Sequence, residues 1–491
     1  PACHGTRFNE RALSTKLMGK NIAEVCAMTL SELVVWVQKI PGQMPSEIEE
    51  MAQSIVNEFL RTAERLTNLG LSYLSLDRAG STLSNGELQR VQISRAVRSD
   101  TTGVLYVLDE PSIGLHPYNV DGLMKIVREL VDRKNSVVLV DHDPRILMDA
   151  DQLIEIGPGA GKEGGRIVTQ GTPLEAEKNP HSLIGPYLSG KESLKVRSRA
   201  TEKDMFENGS IRIKTKPFYT VKALDVSIPK GRMIAVTGVS GSGKTSLAID
   251  CLVPALQAVI QGTKLPEHVD SIEAKGIQSV KVIDSKPIGA NVRSTVATYD
   301  GVFDDLRKLF ARTADAKAKG LTAGDFSYNT GKLRCPVCDG TGIITMDVQF
   351  LPDVDTICPS CGGSRYGKDA YDILWKSKEK DSVSVSLPGL LKLTVEEAAG
   401  ILHEETKIAK QLKILQDLGV CYLTLGEATP ALSGGEAQRL KLAYEMETPQ
   451  QGSVFVFDEP TIGLHPQDVK KLVLIFDHLI QLGATVIVIE H

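Results

Sequence analysis

The chain alternates stretches with apolar residues at helical spacing and short continuous apolar runs. Residues 1 to about 100 read as mainly helical, whereas residues 101–108 form a buried apolar run that ends at Asp109. Residues 121–134 predict an amphipathic helix, and residues 136–140 predict the next buried strand. This strand–helix–strand order indicates a parallel α/β sheet.

A second set of elements follows a polar stretch. Residues 191–210 are rich in charge, lack periodicity and predict a linker. Residues 221–228 alternate like a strand, and residues 233–237 predict a buried strand that leads into a glycine-rich loop. We expect this second sheet to resume only at residues 453–457, so that a long insertion splits it.

Two strings recur at a single offset. The decapeptide Leu-Asp-Glu-Pro-Ser-Ile-Gly-Leu-His-Pro at 108–117 returns at 457–466 with two changes, 349 positions later. The sequence Ser-Asn-Gly-Glu at 84–87 returns as Ser-Gly-Gly-Glu at 433–436 with the same offset. A repeat this long that stays in register indicates a duplicated domain rather than a solenoid.

The glycine-rich loop at 238–245 matches the phosphate-loop pattern without a mismatch. Its backbone N–H groups are expected to wrap the phosphates of ATP, with Lys244 on the β- and γ-phosphates. Thr245, or less readily Ser246, is expected to hold Mg²⁺. A counterpart of Lys244 in the first unit would precede residue 1, so we expect a fragment cut at both ends. The residues predicted to bind nucleotide here are Gly238, Ser240, Gly241, Ser242, Gly243, Lys244, Thr245 and Ser246.

Each unit also carries an acidic pair at the end of a strand. Asp109 and Asp458 are expected to serve the Mg²⁺ site, and Glu110 and Glu459 to orient or deprotonate the attacking water. Acidic residues that only cap a helix are the alternative. Two copies, each 25 residues after a signature serine, favour the catalytic interpretation.

His142 and His491 close the next strand in each unit, 349 positions apart. A lone histidine is usually structural, but the equal spacing predicts that both contact the γ-phosphate. We therefore count them with Glu110 and Glu459 as candidate catalytic residues.

The serine–glycine signature begins a helix, and its hydroxyl and N–H groups suit a γ-phosphate presented by another unit. This arrangement is typical of ABC-type ATPases, in which two units sandwich two ATP molecules. The first signature should then face Lys244, Thr245, Asp458, Glu459 and His491. The second signature should share a site with Asp109, Glu110 and His142. The predicted signature residues are Ser84, Asn85, Gly86, Glu87, Ser433, Gly434, Gly435 and Glu436.

Four of the eight cysteines form two Cys-x-x-Cys pairs that are separated by nineteen residues. Such pairs predict a tetrahedral and structural Zn²⁺ site. A redox-active dithiol is the alternative. Cys3 matches Cys361 within a similar string and would belong to a first, incomplete zinc module. The predicted ligands are Cys335, Cys338, Cys358 and Cys361.

Composition limits the partners. The 491 residues are 42% hydrophobic and 24% charged, with a net charge of −5, which is typical of a globular protein. No apolar run reaches the roughly 20 residues of a membrane helix, which counts against a transporter with its own membrane domain. Any DNA contact must come from a local basic patch, because the chain has no overall basic field.

The predicted fold class is α/β: tandem ABC-type P-loop ATPase domains with helical signature subdomains and an inserted zinc-binding module. Residues 1–100 would hold the end of a first zinc module and the first signature subdomain. Residues 101–190 would form the C-terminal part of the first ATP-binding core. The other predicted segments are a linker at 191–215, the first part of the second core at 216–300, the insertion with the zinc module and second signature at 301–445, and the rest of the second core at 446–491.

Together, the tandem units, the C-x₂-C-x₁₉-C-x₂-C module and the repeated D-E-P-S/T-I-G-L-H-P string resemble the UvrA family, the damage-recognition subunit of bacterial excinuclease ABC. The resemblance implies a cytoplasmic ATPase that uses ATP, Mg²⁺ and Zn²⁺ and has no nuclease active site of its own. It also implies a homodimer, away from membranes, that binds lesion-containing double-stranded DNA and loads the helicase subunit of the excinuclease.

Two positions depart from the family pattern. Asn85 stands where the family has glycine, which would crowd the approach to the γ-phosphate, and Ser285 stands where glutamine is expected. Both could slow the site that contains Lys244. These changes also fit a UvrA-like paralogue in drug resistance or another non-repair role. The ATPase half of a transporter is a third and weaker alternative.

Overall fold

The computed structural model describes most of the chain. It covers residues 3, 5–83, 85–97, 101–112, 115, 117–159, 164–192, 200–239, 241–289, 291–346, 354–377, 383–446, 448–461 and 464–490. Only the backbone is described at residues 85, 117, 118 and 354. The predictions made for Ser84, Ser240 and His491 therefore lie outside the described residues.

The first signature subdomain is helical, as the sequence predicts. The first three helices start at the polar caps Asn9, Asn21 and Thr29. The Thr29 side chain accepts from the backbone N–H of Glu32, and the Glu32 carboxylate accepts from the backbone N–H of Thr29. Short 3₁₀ turns lie at Pro41–Gln43 and Gly80–Thr82. The α-helices are α1 Glu10–Ser14, α2 Ile22–Cys26, α3 Leu30–Val37, α4 Ser46–Asn68 and α5 Asn85–Val97.

The first ATP-binding core is a parallel strand pair with one covering helix. Strand β1 (Leu105–Asp109) pairs in parallel with β2 (Ser136–Val140), and α6 (Pro117–Asp132) connects them. The strand predicted at 101–108 begins only at Leu105, because Gly103 takes a left-handed φ of +72° just before it. The core continues with α7 Pro144–Met148, β3 Leu153–Gly157, β4 Arg166–Gly171, α8 Pro173–Lys178 and α9 Gly185–Leu188.

One face of β1 is uncovered. Leu105 and Val107 are 59% and 63% exposed, whereas their counterparts in the second unit, Val454 and Val456, are fully buried. In the second unit that face packs on the helical segment after the phosphate loop. No such segment covers β1 within the described residues.

The second core holds a four-stranded parallel sheet in the order β7-β15-β14-β9, beside a three-stranded antiparallel sheet in the order β6-β5-β8. A π-helical segment, Ser246–Leu252, follows the phosphate loop and continues as α10. The elements are β5 Ser210–Thr215, β6 Asp225–Pro229, β7 Met233–Thr237, α10 Val253–Gln261, β8 Val269–Glu273, β9 Ser279–Ile283, β14 Ser453–Asp458, α18 Pro466–Gln481 and β15 Thr485–Glu490.

Two sequence predictions are wrong here. The strand predicted at 221–228 is β6, which starts later because Phe218 and Val221 exchange backbone hydrogen bonds in a tight turn. The sheet does not resume only at residue 453, since β9 already lies beside β14. The insertion therefore begins after β9, and its mixed polarity hid that strand from the pattern.

The apolar core of the insertion is continuous with that of the second ATP-binding core, since one buried cluster joins Leu412 and Leu440 of the insertion to Phe455 and Phe457. The buried cysteines form a separate small cluster. Its strands are two short antiparallel hairpins. Its elements are α11 Val296–Tyr299, α12 Val302–Ala311, α13 Ala314–Ala318, β10 Ile343–Met346, β11 Val354–Ile357, β12 Leu374–Lys376, β13 Ser384–Ser386, α14 Leu387–Leu391, α15 Val395–Ile401, α16 Thr406–Asp417 and α17 Gly434–Met446, with 3₁₀ turns Lys368–Asp372 and Thr429–Ala431. A search of the described helices finds none that is long and apolar enough to cross a membrane.

Candidate ATP sites and metal centre

The phosphate loop leaves β7 and turns into the π-helical segment. Gly241 and Gly243 take left-handed φ angles of +77° and +96°, a conformation that glycine adopts without steric cost. The Nζ of Lys244 donates to the carbonyl oxygens of Gly238 at 2.7 Å and Val239 at 3.2 Å. Lys244 thus lies folded over its own loop, and burial lowers the pKa of its ammonium.

The remaining predicted loop residues lie close by. Thr245 is exposed at the start of the helical segment, where a Mg²⁺-binding hydroxyl is expected, and Ser246 follows it partly buried. A Cβ added to Gly238 would come within 2.9 Å of the Ser242 hydroxyl oxygen. A larger residue at Gly238 would therefore require the Ser242 side chain to move.

The acidic pairs lie at equivalent strand ends in the two units. Glu110 and Glu459 both adopt positive φ angles, +47° and +49°. The backbone N–H of each donates to the neighbouring strand, Glu110 to Val140 at 2.7 Å and Glu459 to Ile489 at 3.0 Å. A left-handed non-glycine residue is strained, and its recurrence in both copies indicates that the glutamate is held in a set direction.

Each acidic strand end is tied to the signature helix of its own unit. The Gln438 side-chain amide donates to the Asp458 carbonyl oxygen at 3.1 Å, and Gln89 makes the same bond to Asp109. Neither glutamine is among the site residues predicted from the sequence. Their common offset of 349 positions was the available signal.

His142 lies beside the carboxylate of its own unit. Its Nε2 is 3.5 Å from the Glu110 Oε1, and that contact is the main cause that raises the pKa of His142. The ring also meets His465 of the second unit edge-on, with centroids 6.5 Å apart. His142 therefore joins the first unit's acidic strand end to the other unit.

The first signature faces the second phosphate loop. A Cβ placed on Gly241 would stand 2.9 Å from three ring carbons of Tyr73, so the ring lies flat on the loop. The Tyr73 hydroxyl donates to the Glu87 carboxylate, and Arg78 forms an ion pair with Glu87 at 3.2 Å. Gly86 and Glu87 are buried there. The structure thus brings the second phosphate loop against the first signature subdomain; the shared ATP site of Lys244, Glu459 and that signature stays a prediction.

The second signature has the same internal bonds but lies open. The Tyr422 hydroxyl donates to Glu436 at 2.7 Å, and the backbone N–H of Ser433 donates to Glu436 at 2.7 Å. Ser433 and Gly434 are exposed and Gly435 is half-buried. Among the described residues no phosphate loop faces this signature, and the site that Asp109, Glu110 and His142 are expected to share with it stays a prediction.

The four predicted zinc ligands converge. Four thiols lie within 4.8 Å of one another, those of Cys335, Cys338, Cys358 and Cys361. The Cys338 and Cys361 sulfurs are 3.7 Å apart, close to the about 3.8 Å between sulfurs on a tetrahedral Zn²⁺ ion. None of these cysteines is in a disulfide. The donor set and its spacing fit a structural Zn²⁺ ion.

The zinc module is rigidly joined to the insertion. A Cβ on Gly340 would stand 1.8 Å from the Tyr328 carbonyl oxygen, so the loop after Cys338 requires glycine. Arg365, a flanking cation that could have met DNA phosphate, is 6% exposed and donates to the Val292 carbonyl oxygen at 2.8 Å. It therefore braces the module and does not face solvent.

A phosphate loop after a parallel strand, paired carboxylates at strand ends and a facing signature helix define the fold of a tandem ABC-type ATPase. The insertion with its four-cysteine cluster is an addition to that fold.

Comparisons with known proteins agree with the resemblance in the sequence. The chain is 41% identical over 495 aligned residues to UvrABC system protein A of Aquifex aeolicus, covering all of the chain and 52% of that protein. It is 40% identical to UvrABC system protein A of Thermus thermophilus, of which it covers 51%. The crystal structure of UvrA2 from Deinococcus radiodurans superposes with a TM-score of 0.90 at 36% identity, covering all of the chain and 60% of that structure.

No protein-family model matches the chain. The chain spans about half the length of the curated relatives that it matches. The similarity to UvrABC system protein A runs along the whole chain in sequence, and the similarity to UvrA2 runs along the whole chain in structure.

Proposed function

We propose that the chain is the nucleotide-hydrolysing part of a DNA-damage recognition ATPase of nucleotide excision repair. The observation that carries this proposal is the composite site: a phosphate loop and a signature from two units face each other within one chain that is similar to UvrA2. The proposed partners are lesion-containing double-stranded DNA, a second copy of the protein and the helicase subunit of the excinuclease, and the proposed location is the cytoplasm.

The residues have distinct roles in this proposal. Lys244 leaves its loop carbonyls to bind the β- and γ-phosphates, Thr245 and Asp458 serve Mg²⁺, and Glu459 accepts a proton from the attacking water. Mg²⁺ would neutralise charge on the phosphates when bound. The first signature closes on the γ-phosphate from the opposite side.

The zinc module has a supporting role. The four thiolates would hold Zn²⁺ as a closed structural site, because all ligands are sulfur and three of them are buried. The module is tied to the segment before α11 by the hydrogen bond from Arg365 to the Val292 carbonyl oxygen at 2.8 Å and by the ion pair between Arg293 and Asp339 at 3.3 Å.

The test is a binding titration of the full-length protein against a fluorescent duplex, with and without one bulky adduct, in ATP and at defined salt. We expect tighter, ATP-dependent binding to the adducted duplex that weakens as salt rises. Equal binding to both duplexes would contradict damage recognition and favour a UvrA-like paralogue. Lys244→Ala is the matched variant and should remove the effect of ATP.

A further inference from the structure

Each unit has a further acidic residue directly before its candidate catalytic histidine. These residues are Asp141 and Glu490, and they lie 349 positions apart. Asp141 follows the last residue of β2, and Glu490 is the last residue of β15. A carboxylate therefore recurs at the same strand end in both copies, beside the glutamate that we propose as the base.

Each of these carboxylates accepts two hydrogen bonds from one residue of the turn after the catalytic glutamate. In the second unit, the Oε1 of Glu490 accepts from the Thr461 hydroxyl at 2.6 Å and from the Thr461 backbone N–H at 3.0 Å. In the first unit, the Asp141 carboxylate accepts from the Ser112 hydroxyl at 2.8 Å and from the Ser112 backbone N–H at 3.3 Å. Hydrogen bonds to an ionised acceptor are stronger than those between neutral groups, so both turns are firmly held.

This pairing is the second of two anchors on the same short turn. The backbone N–H of Glu459 donates to the Ile489 carbonyl oxygen at 3.0 Å, and the next residue, Pro460, has no N–H group to donate. Thr461 then donates to Glu490, so both backbone donors of this three-residue turn are bonded to the end of β15. Glu459 keeps its left-handed φ of +49° between the two anchors, and such a conformation persists only where the surrounding structure enforces it.

The first unit repeats the arrangement with different side chains. The backbone N–H of Glu110 donates to the Val140 carbonyl oxygen at 2.7 Å, and Pro111 follows it in the sequence. Ser112 then donates to Asp141. Both members of this pair differ from those of the second unit, yet the same two bonds form. A contact that is kept when both partners change serves the turn itself.

We propose that Glu490 is a positioning residue, whose carboxylate holds the turn after Glu459 and thereby fixes the direction of the Glu459 side chain towards the attacking water. Asp141 does the same for Glu110 in the first unit. The inference rests on the proposed hydrolysis of ATP at this site. The role requires an acceptor oxygen at the end of β15, and it requires no contact between Glu490 and the nucleotide.

The experiment measures steady-state ATP turnover and the binding of a fluorescent ATP analogue for variants of the chain. Glu490→Ala removes the acceptor and should lower kcat about 10- to 100-fold, because a misplacement of about 1 Å can cost about 100-fold in rate. Binding of the analogue should persist, which also checks that the variant folds. Glu490→Gln keeps an acceptor oxygen at the same distance from the backbone and should retain most of the turnover. Glu273→Ala, at the exposed end of β8, is the control and should match the wild type.

A second set of variants tests the contact between Thr461 and Glu490. Thr461→Val removes the hydroxyl bond and keeps the backbone bond, so it should lower kcat less than Glu490→Ala does. The double variant Glu490→Ala/Thr461→Val should be no slower than Glu490→Ala alone, because one contact cannot be lost twice. The double variant Glu490→Asp/Thr461→Ser carries the pair of the first unit and should turn over ATP faster than Glu490→Ala.

Three results would contradict this role of Glu490. Wild-type turnover in Glu490→Ala would show that the turn needs no such anchor. An equal loss in Glu490→Gln and Glu490→Ala would show that the negative charge is what matters. Losses that multiply when Glu490→Ala and Thr461→Val are combined would show that Glu490 acts through another neighbour, such as His491.

Failure of the proposed hydrolysis gives a different result. In that case the wild type shows no more turnover than Lys244→Ala, and the positioning role of Glu490 fails with the hydrolysis. When the wild type does exceed Lys244→Ala, the comparison of Glu490→Ala with Glu490→Gln decides the positioning role by itself.

Discussion

Gly241→Ala probes the contact on which the composite site depends. The new Cβ would lie 2.9 Å from three ring carbons of Tyr73, closer than side-chain carbons approach. The residue would also keep a φ of +77°, which costs an alanine about 1–2 kcal/mol. Overpacking against the ring adds about 1–3 kcal/mol. The substitution therefore both strains the loop and pushes the first signature away.

A matched control isolates the second effect. Gly276 has a nearly equal φ of +81°, but a Cβ there meets nothing within 4 Å. Gly276→Ala should show backbone strain alone. The double variant Gly241→Ala/Tyr73→Ala keeps the backbone strain but lacks the clash. The difference between the double variant and Gly241→Ala alone therefore measures the effect of the contact between residue 241 and Tyr73.

The assay is steady-state ATP turnover together with equilibrium binding of a fluorescent ATP analogue. An overpacking cost of about 1–3 kcal/mol corresponds to a loss of roughly 5- to 150-fold. We expect Gly241→Ala to lose this much more turnover than Gly276→Ala loses. Adding Tyr73→Ala to Gly241→Ala should restore part of the lost turnover. Equal turnover in Gly241→Ala and Gly276→Ala would refute the reasoning, because Tyr73 would then not rest on the loop in the working molecule.

Three further predictions follow from the sites. Glu459→Gln should retain ATP binding but lower turnover about 10²- to 10⁴-fold, since proton transfer is lost; unchanged turnover in a rapid-quench assay would contradict its role. Cys358→Ser should release Zn²⁺, measured by a metal chelator dye, while Cys251→Ser, a buried cysteine outside the cluster, should keep it. The contact with Glu110 raises the pKa of His142 above its ordinary value of 6.5. The contact therefore stabilises the fold fully below pH 6.5, and this stabilisation is lost as the pH rises through the pKa that His142 has in the folded protein. Thermal unfolding midpoints of Glu110→Gln should lack that pH dependence, and retention of it would show that another pair is responsible.

The parts of the fold that the sequence predicted are those fixed by local patterns. The continuous apolar runs at β2, β7 and β14 indicated parallel strands, because strands buried on both faces lose their alternation. Residues 453–457 of β14 are buried, whereas Val138 and Val140 of β2 are each 47% exposed. The two Cys-x-x-Cys pairs identified a cluster whose thiols meet within 4.8 Å. The internal repeat identified the remaining candidate residues, because a single offset of 349 positions aligns both signatures and both acidic pairs.

The parts that the sequence did not reveal depend on contacts between distant segments. Strand β9 reads as Ser-Val-Lys-Val-Ile, and its lysine hid it, although Lys281 turns to an ion pair with Glu445 at 3.2 Å. Tyr73 lies on the phosphate loop of the opposite unit, a contact between distant segments that no local pattern predicts. The burial of Arg365 over the Tyr328 ring likewise depends on residues that are distant in sequence.

The central claim is that the first signature and the second phosphate loop form one ATP site within a single chain. The most direct measurement is a complementation assay, in which Lys244→Ala chains are mixed with Gly86→Asp chains and ATP turnover is followed. Each variant alone should be inactive at this site, and because both defects fall on the same intrachain site, the mixture should stay inactive. Recovery of turnover on mixing would show that the signature of one chain serves the phosphate loop of another, and would contradict the account.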